Sequence, residues 1–285
     1  MTLEDHAGDV ARKARLMSGV PLEQVALAGG VAVALWEAFE RDGRPPMGLE
    51  WSAAASVLEL HAASWRALAE GWLPREVDPG RWQEWRVIST EGNGMSVNAF
   101  LVWDPVSRVA ALFDTGFDAA PVFELSERHR LEVQHLFLTH THRDHVAALE
   151  PLRARFPRLQ LHTDYHGAPA SQRNRADSPV EVGCLRIAYR PTPGHADDGA
   201  TYLVTGFAGD APALAVVGDA VFAGSMGGAP GKGTLAKARI REAILSLPPA
   251  TLICPGHGPV TTVGEEQRHN PFFACDEPVD PPIPA

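Results

Sequence analysis

The chain has 285 residues, 45% of them hydrophobic, which is enough to fill the core of one large α/β domain and a small second one. Its formal net charge of −10, from 35 acidic and 25 basic residues, argues against general nucleic-acid binding because such a surface repels polyanions. Residues 1–15 lack the apolar segment of a signal peptide, and the longest apolar stretch, residues 25–36, is too short to cross a bilayer. We therefore expect a cytoplasmic protein that does not associate with membranes.

Residues 1–75 have the pattern of a small all-α domain. Two helices are expected between residues 21 and 41, with a turn at Gly29-Gly30, and residues 53–70 repeat this arrangement. Trp36 and Trp65 occupy matching places in the two copies. The pattern predicts an internal duplication of helical hairpins.

The first hairpin resembles the helix-turn-helix of repressor-type DNA-binding domains, with Ala26, Gly30 and Val31 at the turn. Charge argues against that role, because residues 1–75 carry seven basic and ten acidic side chains, a net charge of −3. Glu37 and Glu40 lie in the helix that would read the DNA. The alternatives are a lid, a partner surface or a dimerisation arm, which would give a homodimer through the amino-terminal helices.

Residues 76–85 are predicted to form a linker, and residues 86–285 the main domain with a proline-rich tail. Short strands dominate from residue 86 onward, and helices are expected at residues 119–130 and 146–156. Helices that alternate with strands indicate an α/β fold.

A cluster of metal-ligand side chains follows the apolar run of residues 133–138. Alternate residues of an extended segment project to the same face, so His140 and His142 are expected to point together where the strand ends. Asp144 and His145 come next, as the chain turns into a helix. Imidazole nitrogens and carboxylate oxygens at such a turn indicate a metal site that suits zinc or iron.

Three later segments each place one ligand-type residue directly after a glycine turn. His195, Asp219 and His257 follow the β-like runs of residues 185–189, 214–217 and 251–253. This repetition predicts several loops on one edge of a sheet that converge on one point.

The order and spacing of these seven residues resemble the metallo-β-lactamase superfamily, with its His-x-His-x-Asp-His motif and its downstream His, Asp and His. The resemblance implies a four-layer αββα sandwich after the helical domain. It also implies two divalent metal ions, with zinc preferred to iron or manganese. The first metal would be held by His140, His142 and His195, the second by Asp144, His145 and His257, and Asp219 would bridge them.

The resemblance implies a chemistry as well. Two metals lower the pKa of a shared water from about 15.7 to about 7, so a hydroxide that bridges them can attack an acyl carbon. Asp144, which could orient this hydroxide or accept its proton, is the candidate catalytic residue. Residues 218–224 and 254–272 look like the glyoxalase II-like (hydroxyacylglutathione hydrolase-like) branch, which implies hydrolysis of an acyl thioester or ester.

Contacts with this small-molecule substrate are expected from Lys232, in a glycine-rich loop, and from His269 and Asn270 near the end of the resemblance. Asp197 and Asp198, which follow His195, depart from the family's pattern. Their charges would disfavour an anionic group nearby, so the identity of the thioester or ester is left open.

Two other functions stay open at this stage. A persulfide dioxygenase-like enzyme shares the same motif but holds a single iron on two His and one Asp. A regulator that binds DNA or protein, and whose hydrolase domain senses a metabolite, would give the helical repeat its role.

Overall fold

The computed structural model describes residues 2–275, and the end of the proline-rich tail, residues 276–285, lies outside the described residues. The chain begins with an all-helical region and continues as a mixed α/β fold. The amino-terminal helices are α1 (Ala7–Ser18), α2 (Leu22–Ala28), α3 (Val33–Asp42), α4 (Trp51–Leu58) and α5 (Ala62–Ala69).

Five strands form the first sheet, side by side in chain order. They are β1 (Trp85–Gly92), β2 (Met95–Trp103), β3 (Val109–Phe113), β4 (Glu132–Phe137) and β5 (Gln160–His162). The first two pair as an antiparallel hairpin, and β4 runs parallel to β3 and β5. The carboxyl end of β4 therefore brings the histidine motif to one edge of the sheet.

The remaining strands are β6 (Val180–Val182), β7 (Leu185–Pro191), β8 (Ala200–Thr205), β9 (Leu214–Gly218), β10 (Val221–Phe222), β11 (Ser225–Met226), β12 (Leu252–Pro255) and β13 (Thr261–Thr262). Six of them form a second sheet in the order β13, β12, β9, β8, β7, β6, and β10 pairs only with β11. Because β8 is antiparallel to both β7 and β9, and β9 is parallel to β12, the strands β7, β9 and β12 end at the same edge.

The two sheets pack face to face through a core of aromatic and aliphatic side chains, with Phe113 and Phe137 meeting Tyr202. Five helices accompany the sheets: α6 (Ala120–His129), α7 (Arg143–Val146), α8 (Leu149–Arg155), α9 (Gly233–Ala243) and α10 (Val263–His269). A second core joins α6 and α8 to the outer face of the first sheet, and a third joins α9 and α10 to the second. These layers confirm the αββα sandwich that the sequence predicted.

The helix expected at residues 146–156 is divided in two. After α7 the backbone N–H of Ala148 donates to the Gly116 carbonyl (3.2 Å) and to the Thr115 hydroxyl (3.0 Å) instead of continuing the helix. The turn that follows β3 therefore interrupts the helix. The short α7 that results carries Asp144 and His145.

The helical region shares its core with the second sheet's helices. Trp36, Phe39 and Trp65 are fully buried in ring contact, and the same core continues to Ile240 of α9 and to Phe272. Within residues 2–275, no single helix is long and apolar enough to cross a bilayer, and α2 and α3 pass that test only as a pair bent by 100°.

Candidate metal centre

Asp114, directly after β3, fixes the place where β4 ends. Its Oδ1 accepts a hydrogen bond from the backbone N–H of Thr139 (2.7 Å), and its Oδ2 accepts one from the Thr139 hydroxyl (2.7 Å). Asp114 is buried and has φ +57°, a conformation that Asp tolerates better than most residues. The residue that follows Thr139 is the first of the predicted ligands, so Asp114 sets its starting position.

The second sheet brings His195, Asp219 and His257 to the same edge, from the segments that follow β7, β9 and β12. The sheets are joined there by the backbone N–H of Ala200, which donates to the Thr139 carbonyl (2.7 Å). Space is scarce: a Cβ on Gly256 would lie 2.3 Å from Asp219 Oδ1. Only glycine lets the loop that carries His257 approach this closely.

All seven side chains proposed from the sequence lie together, in three overlapping groups. Within each group the ligand atoms lie within 4.8 Å of one another. The first and third groups are the two half-sites that the resemblance implied, and the second shares members with both. The groups are His140, His142 and His195; His140, His145 and Asp219; and Asp144, His145 and His257.

The carboxylate of Asp219 reaches both half-sites. Its Oδ1 lies 3.3 Å from His145 Nε2, while its Oδ2 lies 3.5 Å from His195 Nε2 and 3.5 Å from His257 Nε2. Burial acts to raise the pKa of Asp219, but its interactions with His145 and His257 outweigh it and hold that pKa well below its ordinary value. An ionised carboxylate between two donor groups has the arrangement that a bridging ligand needs.

Hydrogen bonds fix the tautomers of four of the five histidines. Each of the four donates through Nδ1 to an oxygen outside the centre, and these oxygens accept because they are carbonyls, a carboxylate, or a hydroxyl whose own proton is already donated to Asp114. Each neutral ring therefore presents the lone pair of Nε2 to the centre. The pairs are His140 with Thr139 Oγ1 (3.2 Å), His145 with Asp114 Oδ2 (2.8 Å), His195 with Gly228 O (3.1 Å) and His257 with Ser96 O (2.6 Å).

The fifth histidine, His142, enters the centre through its other ring nitrogen. Its Nδ1 lies 3.0 Å from His140 Nε2 and 3.0 Å from His195 Nε2. Three imidazole nitrogens thus meet within hydrogen-bond distance. While the rings are neutral, only His142 Nδ1 can carry a proton among these three nitrogens, and one proton cannot satisfy both short contacts. A cation accepts all three lone pairs.

Two atoms of the centre lack a partner. Among the described residues, His145 Nε2 and Asp219 Oδ1 are buried side-chain atoms without a hydrogen bond. Leaving a buried polar atom unpaired costs about 1–3 kcal/mol. A divalent cation removes that cost, so the residues present fit a metal. Their nitrogen and oxygen donors suit a catalytic zinc, iron or manganese ion.

The charge balance of the centre also calls for cations. Burial acts to lower the pKa of His145, but Asp114 and Asp219 outweigh it and raise that pKa to about 10. Burial likewise opposes charge on His257, and Asp144 and Asp219 raise its pKa to about 11. A hydrogen bond from His257 lowers the pKa of Asp144 to about 2. The carboxylates thus stabilise positive charge in the centre. Protons on His145 and His257 provide this charge when no metal is bound.

The three residues expected to contact substrate lie in different surroundings. Lys232 pairs with Asp197, two residues beyond His195, and so lies at the rim of the centre. The ring of His269 packs in a tilted arrangement against Trp72, with 5.3 Å between the ring centroids. Asn270 has no exposed surface and donates to the Ser225 carbonyl (2.8 Å). This corrects the expectation for Asn270, because a fully buried amide supports the loop and cannot contact a substrate.

Two groups that orient the centre escaped the sequence analysis. They are the backbone carbonyls of Gly228 and Ser96, which accept from His195 and His257. Every residue has a carbonyl, so no residue type marks these positions.

Comparisons with known proteins agree with this geometry. The metallo-beta-lactamase superfamily profile matches residues 92–257. The probable metallo-hydrolase YqgX of Bacillus subtilis is 28% identical over 186 residues, which cover 57% of this chain and 86% of that protein. The hydroxyacylglutathione hydrolase GloC of Haemophilus influenzae is 27% identical over 201 residues, 62% of this chain and 92% of that protein.

A crystal structure of ETHE1 from Myxococcus xanthus is similar in three dimensions, with a TM-score of 0.56 and 29% identity, covering 65% of this chain and 83% of that one. The superfamily profile match begins at residue 92, after the helical region. Since the profile covers more than half of the sequence, this chain belongs to the metallo-β-lactamase superfamily.

Proposed function

We propose that this protein is a metal-dependent hydrolase of an acyl thioester or ester, similar to glyoxalase II, with two divalent cations in the centre. The observation that carries the proposal is the position of Asp219, one carboxylate within 3.5 Å of histidines from both half-sites. The similarity to GloC, which covers 92% of that protein, supports the thioesterase branch.

The proposed hydrolysis assigns separate roles to the bound cations and to Asp144. When bound, the two cations make hydroxide available near neutral pH, by lowering the pKa of water to about 7. Asp144, with its pKa of about 2, is ionised at that pH, so its carboxylate accepts hydrogen bonds and orients the nucleophile. A thiolate leaves without protonation because thiols have a pKa of about 8.5, whereas an amine needs an acid. The residues of this centre are assigned as metal ligands and not as a general acid, so the centre suits thioesters better than amides.

A second candidate rests on one of the three donor groups. His140, His145 and Asp219 form a set of two imidazoles and one carboxylate, the donor set of mononuclear iron oxygenases. A single iron on such a set would correspond to the persulfide dioxygenase-like alternative.

Metal stoichiometry separates the two. The purified, untagged protein would be analysed for its elements and then assayed with a panel of acyl thioesters and esters, with thiol release followed colorimetrically. About two zinc, iron or manganese ions per chain, together with thiol release, would support the hydrolase. One iron per chain with oxygen consumption on a persulfide would favour the second candidate, and two metals without any ester or thioester turnover would refute the proposed substrate class.

A further inference from the structure

The segment that precedes α1 lies against the loop that carries His257. Residues 2–6 are outside the family match. Gly258 follows His257, and a Cβ on Gly258 would lie 3.0 Å from the backbone nitrogen of Glu4 and 3.4 Å from Glu4 Cβ. The backbone at Glu4 thus lies so close to Gly258, the residue next to a predicted metal ligand, that a side chain at position 258 would crowd it. The helical region therefore reaches the mouth of the centre.

A buried ion pair anchors this segment. Asp5 is only 7% exposed, and its Oδ2 accepts from the Ser225 hydroxyl (2.6 Å) and from the Lys13 ammonium (2.5 Å). Lys13 also donates to the Met226 carbonyl (3.1 Å). Ser225 and Met226 form β11, in the hairpin that follows Asp219. Glu4 is therefore held in place by its neighbour in sequence.

Glu4 places an exposed carboxylate at this position. Its side chain is exposed, and no hydrogen bond or ion pair engages it within residues 2–275. Burial raises the pKa of Glu4, the nearby charges of His257 and Lys13 oppose this rise, and those of Asp5 and Asp219 add to it. The carboxylate of Glu4 thus interacts electrostatically with members of the metal centre.

Three other charged side chains close to the metal-ligand loops have partners. Lys232 pairs with Asp197, and Asp198 accepts a hydrogen bond from the Thr141 hydroxyl (2.7 Å). Arg143, in α7, is an exposed cation. Variants that change only Glu4 leave the charge of Arg143 as it is. Glu4 is therefore an exposed acidic group beside the loop of His257 that no ion pair engages within residues 2–275.

We propose that Glu4 is a specificity-determining residue, which favours acyl thioesters or esters with a cationic leaving group over those with an anionic one. The inference rests on the proposed hydrolase function. Glu4 lies beside the loop of His257 and does not touch the reacting atoms, so its influence is the charge it places on the approach to the centre. It acts in the same direction as the chain's net charge of −10.

Three thioesters with one acyl group test this charge selection. Acetyl thioesters of thiocholine, N-acetylcysteamine and 3-mercaptopropionate have cationic, neutral and anionic leaving groups. The metal-loaded wild type, Glu4→Gln and Glu4→Lys would be compared at low ionic strength. We expect the ratio of kcat/KM for the cationic over the anionic thioester to fall about fivefold in Glu4→Gln and about 20-fold in Glu4→Lys, mainly through KM.

The matched control is Glu37→Lys, which makes the same charge change on the exposed side of α3. The neutral thioester should be unaffected in all variants, and high salt should shrink the differences because it screens exposed charges. A ratio unchanged in Glu4→Lys, or changed equally in Glu37→Lys, would overturn the inference.

A second measurement separates this inference from the proposed function. Thioether analogues of the cationic and anionic thioesters cannot be hydrolysed, and calorimetry gives their Kd values without turnover. If the wild type hydrolyses none of the thioesters, the proposed substrate class fails, and the Kd ratio still decides the role of Glu4. A shift of about fivefold in Glu4→Gln supports charge selection at the mouth, and an unchanged ratio refutes it.

Discussion

Replacing Asp114 by Asn tests whether the hydrogen bonds around the centre prepare it for metal. Asn keeps one oxygen, which can still accept from the Thr139 N–H, but an NH2 group takes the place of Oδ2. The Thr139 hydroxyl can rotate to accept from this NH2. In the wild type, His145 Nδ1 lies 2.8 Å from Oδ2. In the variant it would face a donor, so the ring proton must move from Nδ1 to Nε2. The Nε2 lone pair is then lost to the metal.

The expected magnitude follows from the loss of one oriented ligand. Removing the partner of a metal-bound histidine costs about 10–100-fold in metal affinity, or roughly 1.4–2.7 kcal/mol. The loss should fall on the half-site that contains His145, with Asp144 and His257. The half-site of His140, His142 and His195 keeps its own tautomer bonds and should retain its cation.

Zinc titration of the metal-free protein against a chromophoric chelator measures both affinities, and elemental analysis after gel filtration counts the ions retained. The control is Asp118→Asn, which makes the same chemical change at an exposed carboxylate, whose Oδ1 accepts from the backbone N–H of Ala120 (2.9 Å). Circular dichroism would check that both variants fold. Wild-type affinity at both half-sites in Asp114→Asn, or an equal loss in Asp118→Asn, would refute the role assigned to these hydrogen bonds.

Three further predictions concern the centre and its support. Asp219→Ala should abolish turnover and reduce the metal content, because it removes the carboxylate that reaches both half-sites; near wild-type activity would contradict this. Chelation of a metal-loaded sample should lower Tm, and added zinc should restore it, because a ligand of the folded state alone stabilises that state. Burial raises the pKa of Glu266 to about 7 from 4.5, so its contribution to stability is present below pH 4.5 and is lost as pH rises through 7, by about 3 kcal/mol. Urea unfolding at pH 5 and pH 8 should show that Glu266→Gln flattens this dependence, and an unchanged slope would exclude Glu266 as its source.

The fold and the membership of the centre were predictable because their signals are local. His140 and His142 follow an apolar strand, and the later ligands each follow a strand and a glycine turn. Parallel strands end at a common edge, so these repeated local patterns bring distant residues together without further information. Asp114, directly after β3, orients His145 and Thr139.

The parts that escaped the sequence analysis depend on contacts between elements. The division of the expected helix at residues 146–156 comes from bonds between Ala148 and the turn after β3, which its helical composition does not show. The burial of Asn270 depends on packing against the loop of Ser225. The position of Glu4 depends on how the helical region docks, and no pattern in residues 1–15 indicates it.

One short hairpin connects the helical region, the carboxyl-terminal helix and the metal centre. The Ser225 hydroxyl donates to Asp5, and the Ser225 carbonyl accepts from Asn270 (2.8 Å). The neighbouring N–H of Gly224 donates to Glu266 (3.0 Å). Three residues after Ser225, the Gly228 carbonyl accepts a hydrogen bond from His195 and orients its ring. Both partners of Ser225 lie outside residues 92–257, so segments on either side of the family match contact the loop whose Gly228 carbonyl accepts from His195.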